Sequence, residues 1–153
     1  MSRFEQLRAT HSASNSANEA YWQDLRNIVE KIRNDFEVYL AIPPGVAHST
    51  RAGKASAVSI GSLDEDGVFQ IVAPEALVGS NRSLYFALRL MVADSGIEPR
   101  PDIIFSLSVS KMPDGYPVVI YSGFNQPSFN GPIHTGLFDL MYKLAAEQFS
   151  TRL

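Results

Sequence analysis

No cysteine occurs among the 153 residues, so no disulfide staples the chain, and a reducing compartment is its expected setting. Charge is scarce as well. Only 19% of residues are charged, below the globular norm of about 25%. The apolar fraction is 45%, with nine Phe, six Tyr and one Trp, which excludes a disordered chain and gives ample material for a core. No apolar run approaches the roughly 18 residues that would suggest a bilayer span. Met1–Ser16 carries Arg3, Glu5, Arg8 and His11 without an apolar stretch, so it does not read as a secretory signal. The expected location is the cytoplasm, with no membrane partner.

Positive charge is also in short supply. Thirteen Lys and Arg against sixteen Asp and Glu leave a net charge of −3, which disfavours broad neutralisation of nucleic-acid phosphates. The sequence motifs of common chemistries are missing too. His11, His48 and His134 stand far apart and form no pair at helical spacing that would hold a metal. No GxSxG elbow exposes a serine nucleophile. The segment Gly45–Lys54 ends in Gly53-Lys54, but a phosphate loop would need a glycine where His48 stands and a hydroxyl where Ala55 stands. Asp64-Glu65-Asp66-Gly67 lacks calcium ligands at the flanking positions, which hold Ser62 and Ala73. No metal, cofactor or catalytic residue is therefore assigned.

What is present is periodicity. Trp22, Leu25, Val29, Ile32, Phe36 and Tyr39 recur at steps of three and four, which predicts a helix over residues 17–41. Ser16–Glu19 fits a capping box at its start, and Pro43-Pro44-Gly45 forbids its continuation. Residues 1–15 read as a flexible arm and 16–153 as one domain. Gly45–Lys54 reads as a loop. Val58 and Ile60 alternate with polar or small neighbours, and the Asp64–Gly67 turn returns the chain through Val68–Val72 as a hairpin. Leu84–Val92 fits either helix or strand, with the strand preferred because Leu84, Phe86, Leu88, Leu90 and Val92 alternate and Arg89 falls on the other face. Ile103, Phe105, Leu107 and Val109 alternate with a largely serine face, as in an antiparallel sheet with one side in water. Met112–Gly115 turns the chain into Val118–Tyr121, a second hairpin. Leu137, Leu140, Met141, Leu144 and Ala145 mark a closing helix to Phe149, with Thr135 as its N-cap. No repeat is apparent. The expected fold is α+β: a mainly antiparallel sheet of four to five strands packed by an N-terminal and a C-terminal helix.

Two surfaces are candidate sites. The loop 123–136 holds Phe124, Asn125, Gln126, Phe129 and Asn130, aromatic rings between turn formers and amides, a pattern suited to anchoring a protein partner. His48, Arg51 and Lys54 form a basic stretch suited to an anion, with Arg82 and Arg89 as further cations. The order helix, strands, helix resembles loosely that of toxin-neutralising immunity proteins and secretion chaperones, a likeness of element order alone. The expected function is a non-catalytic protein-binding module, immunity, antitoxin, adaptor or chaperone-like. The alternatives are a small enzyme using His48 or His134 as acid and base, or a small-ligand or anion sensor using the 48–54 loop. A homodimer remains open.

Overall fold

The computed structural model describes residues 2–50, 53–96, 100–121, 126–131 and 133–152. Helix α1 spans Arg3–Tyr39, about 55 Å at the α-helical rise. Its buried stripe is Leu25, Ile28, Val29, Ile32 and Phe36, at the three-to-four spacing legible in the sequence. The start expected at Ser16 is corrected. The helix begins at Arg3 and is capped by Ser2, whose side chain accepts the Glu5 amide at 3.1 Å. Ser16–Glu19 lies within a continuous helix, where no amide is orphaned and a capping box has nothing to satisfy. Residues 2–20 are all exposed, so this first half of the helix runs past the body. Leu40 caps the other end and Ala41 takes a left-handed φ of 55° ahead of the two prolines.

Gly45–Lys54 is not simply a loop. It contributes to a two-stranded antiparallel hairpin, β1 (Ala47–Thr50) with β2 (Gly53–Ser56). Then follow β3 (Val58–Leu63), β4 (Phe69–Ile71), a single 3₁₀ turn at Pro74–Ala76, β5 (Gly79–Ser80), β6 (Ser83–Met91), β7 (Asp102–Val109), β8 (Val118–Tyr121), β9 (Ser128–Phe129) and helix α2 (Thr135–Thr151). The main sheet runs β4-β3-β6-β7-β8-β9, with β5 paired to β6, all antiparallel. It thus has seven strands among the described residues rather than four to five. The additional strands, β5 and β9, are two residues long each, too short to display alternation. Both expected hairpins form. In the first, the Asp64 carboxylate accepts the Asp66 and Val68 amides, each at 2.9 Å, and fixes the turn. Ser83–Met91 is a strand and lies centrally, between β3 and β7. The N-cap of α2 is His134, not Thr135.

Pleating sends alternate residues to opposite faces. Val58 and Ile60, Leu84 to Leu90, Ile103 to Val109, and Val118 with Ile120 supply one apolar face, which both helices cover. Phe36 stands at the junction of all three elements. It is fully buried, stacked on Phe138 of α2 at 5.5 Å and edge-on to Phe105 of β7 at 6.4 Å. Further along α1, Tyr21 and Trp22 hold the β5–β6 turn. A Cβ on Gly79 would lie 2.6 Å from the Trp22 ring. The Tyr21 hydroxyl donates to the Arg82 carbonyl, and the Arg82 guanidinium lies 4.2 Å over the Tyr21 ring. Asn81 and Arg82 both have positive φ, 51° and 64°, the pattern of a tight turn whose twist matches its strands.

Because Phe36 couples both helices to the sheet, Phe36→Ala is expected to cost about 3–5 kcal/mol. Urea denaturation monitored by far-UV circular dichroism measures it. A loss under about 1 kcal/mol would contradict the packing described.

Candidate functional site

The face of the sheet opposite the helices carries the remaining alternate residues. Three cross-strand rows define it. Ser59, Arg89 and Ile104 form one row; Gly61, Ala87, Ser106 and Tyr121 form the next; Tyr85, Ser108 and Val119 form the third. The middle row is made of small residues until it reaches Tyr121, so it is a trough. Tyr85 is 41% exposed, Tyr121 36% and Leu63 42%, and with Val78 they rim a cleft of about 360 Å3 floored by Ala87 and Ser106. The Tyr121 hydroxyl lies 3.0 Å from that of Ser108, which holds the ring in place across the trough. The serine face read from the alternation of Ile103–Val109 is therefore not bare: Ser108 is buried beneath this rim.

At the other end of the trough Phe69 of β4 lies against Gly61. Any Cβ at Gly61 would meet the Phe69 ring and the Gln70 carbonyl, so glycine is required for this close approach. The Arg89 guanidinium sits 4.7 Å from the Phe69 ring centroid, a cation–π contact. Its Nε and Nη2 are shielded from solvent without a hydrogen-bond partner. Burial pushes Arg89 below its ordinary pKa, and the charge of Asp102 opposes the shift. A shielded donor left unpaired costs about 1–3 kcal/mol.

The residues singled out from the sequence are placed as follows. Phe124, Asn125 and Arg51 lie outside the described residues. Gln126 and Asn130 are exposed; Phe129, on β9, is half-buried against the core. His48 pairs across the hairpin with Ala55, and Lys54 with Ser49, so alternation puts His48 and Lys54 on opposite faces. Lys54 is exposed, whereas His48 borders an apolar cleft of about 510 Å3 that includes Leu40, Ile42, Leu90 and Phe149. The His48 Nδ1 is 3.7 Å from the Asp94 carboxylate, beyond hydrogen-bond reach. That carboxylate also accepts the Ser49 amide at 2.7 Å. His134 is 4% exposed, and its Nε2 lies 2.9 Å from the Tyr116 carbonyl. A carbonyl only accepts, so Nε2 carries the proton and the ring ties α2 to the β7–β8 turn. Among the described residues no three His, Cys, Asp or Glu side chains converge to hold a metal.

Tyr85, Tyr121 and Phe69 were not singled out in the sequence. The signal available was their parity on β6, β8 and β4, opposite the core residues. No family model, no curated protein and no solved structure matches the chain.

One further polar cluster joins α1 to the β7–β8 turn. Asp24 accepts from Lys111 and from the Tyr116 hydroxyl, each at 2.9 Å. The Lys111 hydrogen bond holds the Asp24 carboxyl below its usual range, burial opposes this, and the Tyr116 bond adds to it. Lys111 and Tyr116 are both raised, first by their hydrogen bonds to Asp24. A lowered acid contributes stability above its unfolded pKa and loses it as pH falls through the folded one. A raised lysine or tyrosine contributes below its unfolded pKa and loses it as pH climbs through the folded one. The cluster thus supports the fold across neutral pH and fades at both extremes. Asp24→Asn should flatten the acid limb of the stability curve, read from urea midpoints over a pH series. An acid limb as steep as in the parent would contradict this.

Proposed function

We propose that the protein is a non-catalytic binding module that recognises another protein through the face of its sheet not covered by helices. The observation that carries the reading is the Tyr85–Tyr121 rim around a floor of alanine and serine. Tyrosine and arginine dominate binding energy at protein interfaces because they bury large area with few torsions to immobilise. A trough between two such rings suits an apolar side chain of the partner, and Leu63 and Val78 extend the apolar contact. The segment around Gln126, Phe129 and Asn130 borders this face through β9, where Ser128 pairs with Val119. It is the second candidate contact, and the same experiment separates the two.

The test is affinity capture from the source cells, followed by measured dissociation constants for the partner recovered. Tyr85→Ala should weaken that partner by about tenfold or more, while Gln126→Ala with Asn130→Ala should change affinity by less than about threefold. The reverse ranking would move the interface to the 126–130 segment. Equal affinity for all three proteins would sink both.

A specific observation favours a second reading, in which His48 acts on or binds a small molecule: it borders the apolar cleft of about 510 Å3. Its separation from Asp94 falls outside the roughly 2.6–3.2 Å reach of a general base held by hydrogen bonding, so this reading ranks second. An environment-sensitive apolar fluorophore should bind the parent protein and lose that binding on Leu90→Glu if the cleft takes ligands. Undiminished binding in the folded variant would remove the reading.

A further inference from the structure

Arg89 presents two buried donors with no acceptor, at the wall of a cavity of about 700 Å3 that Phe69, Gln70, Ser49, Thr50 and Ser95 also line. Arg26 on α1 also has a shielded Nε without a partner, but not the paired Nε and Nη2 of one edge; several other cations are placed differently. Arg82 caps the Tyr21 ring, Arg100 pairs with Asp102, Arg152 bonds backbone carbonyls of residues 100 and 102, Lys111 pairs with Asp24, and Arg33 pairs with Glu37. At Arg89 the cross-strand neighbours Ser59 and Ile104 bring no carboxylate. Asp102, on the same face two residues along β7, attracts it without a hydrogen bond and is itself held by Arg100.

Chemistry narrows the class of ligand. The Nε–H and one Nη2–H of a guanidinium point in parallel from a single edge of the plane, and that edge matches two oxygens of a carboxylate or phosphate. These are the two nitrogens left unpaired here. The cavity's other walls supply hydroxyls at Ser49 and Ser95, polar groups suited to oxyanion oxygens, while the Thr50 hydroxyl donates to the Gly53 carbonyl, the Gln70 amide donates to Asp64, and the Phe69 ring covers one face of the cation. We propose that this cavity is a binding site for a ligand bearing an oxyanion, a carboxylate or a phosphate, engaged in bidentate fashion by Arg89. Engagement turns the guanidinium edge toward the cavity through its terminal torsions, and relieves the unpaired donors. The site lies one row away from the Tyr85–Tyr121 trough and does not depend on a protein partner occupying that trough.

The experiment titrates the parent protein separately with inorganic phosphate and with acetate, using sodium chloride at matched ionic strength as control, and follows the arginine Nε–H resonances by nuclear magnetic resonance. A saturable shift at Arg89, absent at Arg82 and Arg152 and absent with chloride, is the expected result. The stronger of the two titrations distinguishes a phosphate-bearing from a carboxylate-bearing ligand. Arg89→Lys, which keeps the charge and loses the planar edge, should weaken binding by about tenfold. An Arg89 resonance unmoved by both anions, or moved no more than the exposed arginines, would overturn the proposal. So would full affinity in a folded Arg89→Lys protein. The parent titration needs no variant to fold, and partner capture through Tyr85 is read independently.

Discussion

The antiparallel pairing of Ser83–Met91 with Asp102–Val109 is the constraint on which the rest of the structure depends. Eight rungs run from Leu84 opposite Val109 to Met91 opposite Asp102. In that register Leu84, Phe86, Leu88 and Leu90 meet Val109, Leu107, Phe105 and Ile103, and all eight point to the helices. A slip of one residue would turn over the strand that moved, burying Arg89 if it were the first strand or Ser106 and Ser108 if it were the second, and exposing that strand's apolar set. Such a state is prohibitively unfavourable, so the hydrophobic pattern fixes the register. The register in turn fixes what stands on the other side.

That other side is where the molecule departs from what stability alone would select. A row of Gly61, Ala87 and Ser106 leaves a trough between two tyrosines on one flank and the Phe69–Arg89 pair on the other. Arg89 retains two shielded, unpaired donors, a deficit that an apolar side chain of similar size would not incur. Residues retained against stability mark function more often than packing. Among the described residues, the one other such donor is the Arg26 Nε on α1, a single nitrogen against the two of Arg89. Phe36, Phe105 and Phe138 fill the junction between layers with ring contacts only.

Much of this architecture was legible in the sequence because it rests on long periodic segments. The stripe from Trp22 to Phe36 and the alternation through Ile103–Val109 each extend over enough residues for the period to declare itself. The two hairpin turns were legible from Asp-Gly pairs. The short strands Gly79–Ser80 and Ser128–Phe129 were not, since two residues have no period. Residues 3–15 escaped for a different reason: this part of α1 buries nothing, so no core-facing stripe marks it. The site was less legible than the fold. His48 and Lys54 are neighbours in sequence, but a hairpin register sends them to opposite faces. Tyr85, Tyr121 and Phe69 belong to three strands, and only the cross-strand rows bring them to one trough around Gly61, Ala87 and Ser106. Arg89 could be assigned to the face opposite the core, but its lack of a partner depends on which residues flank it in space.

The central claim is that the helix-free face of the sheet is the face that meets a partner. Site-specific photo-crosslinking tests it most directly, with a benzophenone amino acid placed at Tyr85 in one protein and at Tyr142, exposed on α2, in another. Adducts from position 85 with none from position 142 are the predicted result. Adducts confined to position 142 would contradict the account.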